Sequence, residues 1–379
     1  MKSPRNNNTD TFLILLRAGL WEQGDRLLSF KESRIDFAEV YKIAQEQSVV
    51  GLLCAGMGKM GGLSRFRLTD DQMGLVMGEL MAIEDRNVQM NKFIRDIVGK
   101  MNDGGILALI VKGQGIAQCY EKPLWRTCGD VDFFLDEGNY EKAKEYFSLI
   151  ASHCEVEGVA SKHFGCVVND WTVELHGTLD SNLSLRIDNV LDEIQRDTFE
   201  NKRFRVWNNG GVEVLLPCVD NDVLFVFTHI LKHFYKGGIG LRQLCDWCRL
   251  MWTYREEIDV ELLERRLRCM GLMSEWRAFG AFAVEYLGMP VDAMPLYDSR
   301  EKWSRKASRI LDFILSVGNF GHNRDMSYYI KYPYVVRKAV SFGRRVGDVV
   351  RHTRIFPLDS LRFLPRILFV GLRSAARGE

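Results

Sequence analysis

Val111-Lys112-Gly113-Gln114-Gly115 and, after a mixed loop, Cys128-Gly129-Asp130-Val131-Asp132-Phe133-Phe134-Leu135 form the stretch around which this 379-residue chain is organised. In an extended strand, side chains two apart point to the same face. Asp130 and Asp132 therefore stand side by side, about 6–7 Å apart along the strand. Two like charges at that spacing are unfavourable unless something positive lies between them. A divalent cation fills that role, and magnesium favours a few carboxylates supplemented by water and phosphate oxygens. Just upstream, the apolar run 106–111, bounded by glycine, reads as a buried strand. It feeds a glycine turn ahead of a short helix, where free backbone N–H groups can face an anion. Lys112 adds a positive charge there, although the same glycines would also serve a tight turn on steric grounds alone.

Downstream, 139–151 has the periodicity of an amphipathic helix. Segments 163–168 and 171–175 read as a hairpin closed by Asn169-Asp170. Its second strand carries Val173-Glu174-Leu175-His176, and a carboxylate between Val and Leu is unfavourable to bury unless paired or metal-bound. A second hairpin joins 203–207 to 212–216 across Asn208-Asn209-Gly210-Gly211. After Pro217 the pattern turns helical over 221–235, 241–254, 260–270, 274–287 and 300–317, with the short connections of a bundle. His229 and His233, four apart, share a helix face, and Asp246 can approach from the next helix. Without the glutamate of a zincin motif, this set reads as a polar network rather than a zinc site. The Cys245/Cys248 pair reads as core.

Upstream, residues 1–10 are polar, rich in Asn, and read as a disordered lead-in, followed by helical sequence over 11–60. Thr69-Asp70-Asp71-Gln72 has the form of a capping box. It opens a long helix with apolar positions at Met73, Val76, Met77, Leu80, Ile83, Val88, Ile94, Ile97 and Met101. Gly104-Gly105 ends it. The methionine-rich stripe is packing surface.

Nine cysteines without repeating spacing, and an N-terminal segment without an apolar signal core, suit reduced thiols in a cytoplasmic protein. No apolar run reaches the roughly 18–20 residues that a membrane span needs. From Met326 onward the chain holds 11 Lys/Arg against 3 Asp/Glu, interleaved with Tyr328, Tyr329, Tyr332 and Tyr334. A basic, aromatic tail on an acidic body points to an anionic partner, either a membrane surface held peripherally or nucleic acid. Terminal helices packed on the bundle with a solvated basic face are the plainer alternative.

A glycine turn after a strand, an Asp-x-Asp strand and a third strand with a lone carboxylate, in that order, resemble the nucleotidyltransferase superfamily with its polymerase-β-like fold. Lys112-Gly113, Arg126, the run from Gly129 to Asp132, Glu174-Leu175-His176, His229, His233 and the run from Leu241 to Asp246 look more closely like a bacterial branch, the uncharacterised nucleotidyltransferases. That likeness covers about residues 80–255. Two departures stand out: Gly113 is followed by Gln114 rather than Ser or Gly, with Gly115 one further on, and the stretch from Gly113 to Asp130 is long.

The resemblance implies an α+β fold in which a small mixed β-sheet palm (104–217) is flanked by an N-terminal helical region (11–103) and a C-terminal helical bundle (218–318). The lead-in 1–10 and the basic aromatic helical tail 319–379 complete the chain. It further implies a Mg²⁺-dependent enzyme moving a nucleoside monophosphate from an NTP, such as ATP, to a hydroxyl. The acceptor would be a sugar or polysaccharide precursor, a protein or an RNA. Asp130, Asp132 and Glu174 would hold two Mg²⁺ ions, with Glu174 equally suited to act as general base. Lys112, Gly113, Gln114, Gly115, Arg126 and Gly129 would bind the nucleotide, and His176, His229, His233, Arg242 and Asp246 would shape the substrate pocket. A binding or regulatory protein with a degenerate site on the same fold is the alternative.

Overall fold

A computed structural model describes residues 7–21, 35–61, 66, 68–155, 162–319, 336, 340, 347–348 and 350–376, with side chains up to 366. Among these residues the strands β1 (Leu109–Val111), β2 (Val131–Phe134), β3 (His153–Cys154), β4 (His163–Val168), β5 (Trp171–His176), β6 (Phe204–Asn209) and β7 (Val212–Pro217) form one sheet. Their order is β3-β4-β5-β2-β1-β7-β6. The β2–β5 and β1–β7 pairs are parallel and the others antiparallel, so the fold is α+β with a mixed sheet. Both hairpins form, the second with Asn208 and Asn209 paired inside β6 so that Gly210-Gly211 alone makes its turn. Asn169 and Asp170 adopt positive φ (48° and 67°), as a two-residue turn matched to strand twist requires.

Alternation along the strands splits the sheet into two faces with separate cores. Val131, Phe133, Val173 and Leu175 meet Met90, Ile94, Ile97 and Met101 of helix α4 (Asp70–Asp103) and Tyr140, Ala143 and Phe147 of α6 (Glu137–Ile150). Val111 and Phe134 turn to the other face, toward α7 (Leu185–Glu200) and α8 (Val219–Lys236). Phe134 packs on Phe199 of α7 and Phe225 of α8. Asp132 alternates to this same face, which decides where the site lies.

Helix α4 carries the expected capping box: Thr69 Oγ1 accepts from the Gln72 N–H, and Gln72 Oε1 accepts from the Thr69 N–H. Its N-terminal half joins the larger core through Val76 and Leu80, and its C-terminal half lies under the sheet. Met77 and Val88, expected in the apolar stripe, are exposed. The larger core unites helices α1 (Asn7–Leu20), α2 (Phe37–Glu46) and α3 (Val50–Lys59) with α8 and the later helices α9 (Leu241–Thr253), α10 (Val260–Met270), α11 (Met273–Leu287) and α12 (Glu301–Val317).

Some expectations need correction. Helix α1 begins at Asn7, inside the stretch read as a disordered lead-in, and residues 1–6 lie outside the described residues. The strand read over 106–111 narrows to Leu109–Val111. Helix α7, which the sequence reading passed over, is amphipathic, with Ile187, Val190, Leu191 and Ile194 inward and a Ser184 N-cap. Of the basic tail, residues 320–335, 337–339, 341–346, 349 and 377–379, with Tyr328, Tyr329, Tyr332 and Tyr334 among them, lie outside the described residues. Of the rest, Phe356 and Phe363 are buried, Phe356 stacking on Phe279 and Phe363 edge-on to Tyr235. On helix α13 (Pro357–Ala376), Arg366 pairs with Asp188 at 2.6 Å. All nine cysteines are free thiols, with Cys245 and Cys248 buried. No helix among the described residues is long and apolar enough to cross a membrane.

Candidate active site

A cavity of about 460 Å³ opens between the central β2–β5 strands of the sheet and helices α8 and α9. Its floor is set by strand register. The parallel β2–β5 pairing places Asp132 directly opposite Glu174, and Asp130 enters one residue before β2 on the same side. Carboxylate oxygens of Asp130, Asp132 and Glu174 all lie within 4.8 Å of one another. The three expected acidic residues therefore converge, although 42 or more residues separate Glu174 from the other two in sequence.

Such crowding needs compensation, and β1 supplies it. Val111 pairs with Asp132, so the next residue, Lys112, leaves the strand beside that carboxylate. Its Nζ lies 2.7 Å from Asp132 Oδ1. Lys112 holds φ 56° and Gly113 φ 42°, a left-handed turn that swings the lysine over the floor. Burial pulls the Lys112 pKa down, but Asp132, Asp130 and Glu174 outweigh it and hold the ammonium charged. His176 Nε2 lies 2.8 Å from Asp132 Oδ1 and 3.4 Å from Glu174 Oε2. His163 Nε2 lies 3.2 Å from Glu174 Oε2. Burial lowers the His176 pKa, and its bonds to Asp132 and Glu174 raise it above the ordinary value on balance. Burial opposes ionisation of Glu174, yet the two imidazoles and Lys112 hold it well below the usual carboxylate range. Asp130 goes the other way, raised first by repulsion from Asp132 and then by burial. One carboxylate thus remains short of a positive partner, and a set of oxygen donors at this spacing suits a hard divalent cation.

The loop that delivers Gly129 and Asp130 is tied down at three points. Asn87, fully buried on α4, donates to the Leu124 and Arg126 carbonyls at 2.7 and 2.8 Å. Arg242, at the start of α9, donates to the Thr127 carbonyl at 2.9 Å. Arg126 forks onto Asp246, Nε to Oδ1 at 2.8 Å and Nη2 to Oδ2 at 2.7 Å, and the Tyr120 hydroxyl adds a bond at 2.7 Å.

Lys112, Gly113, Arg126, Gly129, Asp130, Asp132, Glu174, His176, His229, His233, Arg242 and Asp246 all line the cavity. Gln114 and Gly115 do not. Gln114 donates instead to Asn87 and Asn91 of α4 at 2.9 and 3.0 Å. A Cβ on Gly115 would stand 2.8 Å from Leu216 Cδ2, so this glycine serves close packing of helix α5 (Gly113–Ala117) on the sheet. Arg126 reaches the cavity wall with its guanidinium already paired. Asp246 faces Arg126 and Tyr120, and the clusters with metal-ligand spacing among the described residues exclude it together with His229 and His233. Those two imidazoles pack edge-on, 4.4 Å between centroids, and both are held neutral. Burial first, then Lys112, pushes His229 far down and His233 to about 4.

Sequence reasoning missed Asn87, Tyr120 and His163. Asn87 carried a weak signal, a polar side chain on the inward stripe of an otherwise apolar helix face. His163 carried none until strand pairing set it across from His176.

Residues 33–288, about two thirds of the chain, match the family described as uncharacterised nucleotidyltransferase, and the chain belongs to that family. Comparison with curated proteins and with solved structures finds no match.

Proposed function

We propose that the protein is a Mg²⁺-dependent enzyme that moves a nucleoside monophosphate from an NTP to an acceptor hydroxyl. The observation that carries this reading is the convergence of Asp130, Asp132 and Glu174 on the floor of an open cavity. Asp130, Asp132 and Glu174 would hold the two ions. When bound, these ions supply Lewis-acid activation of the hydroxyl and neutralise charge on the attacking and leaving oxygens.

The chain's own residues position and balance charge. Lys112 and Arg242 bring positive charge to the cavity beside the Gly113 turn, where the departing phosphates would lie. Lys112 sits 2.7 Å from Asp132, a contact that a cation competing for that carboxylate would release. Arg242 has an Nε without a partner and is fixed at its other end on the Thr127 carbonyl. Arg126 acts through Asp246 as a brace for the 122–129 loop rather than as a phosphate ligand. A triphosphate cannot enter beside three carboxylates without added cations, which is the electrostatic reason for metal dependence. His229, His233 and Phe225 on α8 form the opposite wall and would meet the acceptor or the base. The acceptor classes remain a sugar or polysaccharide precursor, a protein or an RNA end.

Pyrophosphate release from each NTP in the presence of Mg²⁺ and candidate acceptors tests the proposal, with the Asp130→Asn/Asp132→Asn double variant as control. NTP binding without turnover in a folded protein would instead favour a binding or regulatory role on the same fold.

A further inference from the structure

Beside the carboxylate triad lies a second cluster with different chemistry. Strand β4 pairs antiparallel with β5 so that His163 stands opposite His176, with Glu174 two residues before it on the same face. His163 Nε2 and His176 Nε2 are 3.2 and 3.4 Å from the same oxygen, Glu174 Oε2. Donors that share one first-row ion, each at about 2.0–2.2 Å, stand about 3.0–3.5 Å apart. One ligand atom from each of the three residues falls within 4.8 Å of the others, and all three line the cavity. The donor set is two nitrogens and one oxygen, whereas the neighbouring triad offers oxygen alone.

We propose that His163, Glu174 and His176 form a transition-metal site, contiguous with the carboxylate site and sharing Glu174 with it. Imidazole donors favour first-row ions such as Mn²⁺, Co²⁺ and Zn²⁺ over Mg²⁺, which takes oxygen and keeps its water. Because all three donors line the cavity, an ion held there would be reachable by water or a substrate oxygen. Glu174 would then be shared between the hard ions held with Asp130 and Asp132 and a softer one held by the imidazoles. The proposal deepens the reading above and rests on it only for the ions at the carboxylate triad.

The test is a titration of Co²⁺ into the full-length protein in excess Mg²⁺, followed by visible absorption and calorimetry. Spin-echo modulation of bound Mn²⁺ then reports directly coordinated nitrogen. The expected result is one equivalent of Co²⁺ that excess Mg²⁺ does not displace, with nitrogen coupling to Mn²⁺. Asp130→Asn/Asp132→Asn should retain this uptake. His163→Gln and His176→Gln should each weaken it by about 100-fold or more, beyond what loss of an outer-shell partner costs. His163 is on the half-exposed rim of the cavity, so His163→Gln decides the matter if His176→Gln unfolds. Complete displacement by Mg²⁺, an affinity unchanged in His163→Gln, or the absence of nitrogen coupling would each overturn the proposal. Mg²⁺-dependent pyrophosphate release measured on the same samples separates the two ideas. Turnover without imidazole-bound Co²⁺ defeats only the transition-metal site, and Co²⁺ uptake without turnover defeats only the transferase.

Discussion

The cavity wall carries a lone carboxylate, Asp246, and a cluster of three, Asp130, Asp132 and Glu174, and the two end in opposite states. Around Asp246 every demand is met: Arg126 forks onto both oxygens, Tyr120 adds its hydroxyl, and the group is buried. Around Asp130, Asp132 and Glu174, three carboxylates share the ammonium of Lys112 and two imidazoles, and the surplus is enough to raise the Asp130 pKa. The closed cluster holds backbone in place. The open one has negative charge left over, facing a space large enough for a ligand. Unbalanced charge at an accessible wall, rather than carboxylates as such, separates a site from a brace.

Mutation should separate the two clusters cleanly. Asp130→Asn/Asp132→Asn should lower Mg²⁺-dependent pyrophosphate release by about 10³-fold or more while costing less stability than loss of the Asp246 charge, because Glu174 still faces the Lys112 ammonium. Asp246→Asn should do the reverse in kind, because it leaves the Arg126 guanidinium buried without a counter-ion. A stability loss of about 3–5 kcal/mol in urea denaturation is expected, and a fully stable variant would mean that the Asp246 network does not brace the loop.

Smaller effects sharpen the picture. His233 has its pKa depressed from 6.5 to about 4, first by burial and then by Lys112. A depressed imidazole contributes stability that is present above its unfolded value and lost as pH falls through the folded one. Unfolding should therefore become easier from about pH 6.5 down to about pH 4, and His233→Gln should recover up to about 3 kcal/mol of that acid loss. Denaturation curves at both ends of the window give the answer. Asn87→Leu leaves the Leu124 and Arg126 carbonyls and the Gln114 amide without this partner, at a cost of about 1–3 kcal/mol by the same assay.

The mildest change concerns Asp130 alone. Its raised pKa makes its contribution to stability favourable at acid pH and lost as pH rises through the folded value. Asp130→Asn should therefore raise the melting temperature of the metal-free protein at neutral pH and leave it unchanged at acid pH. Excess Mg²⁺ should shrink the difference by stabilising only the wild-type protein.

Local pattern carried much of this in the sequence. The Asp-x-Asp spacing, the Asn169-Asp170 turn and the Thr69 capping box each depend on a few neighbouring residues, and all three take the form that their chemistry requires. Gln114 and Gly115 read as parts of an anion-binding turn because their contacts, Asn91 and Leu216, lie 23 and more than 100 residues away. Arg126 read as a free cation for the same reason, its partner being 120 residues on.

By itself the sequence determined most of the strands and helices, α7 and β3 excepted, which side of β2 carries its acids, and that Glu174 would need a partner. Periodicity and turn chemistry act over a few residues, so they survive without the fold. Only the tertiary structure decided that Glu174 stands level with Asp132, that His163 joins it, and that Arg126 and Asp246 cancel each other. Those outcomes depend on strand register and helix docking, where a shift of one residue turns every side chain to the other face.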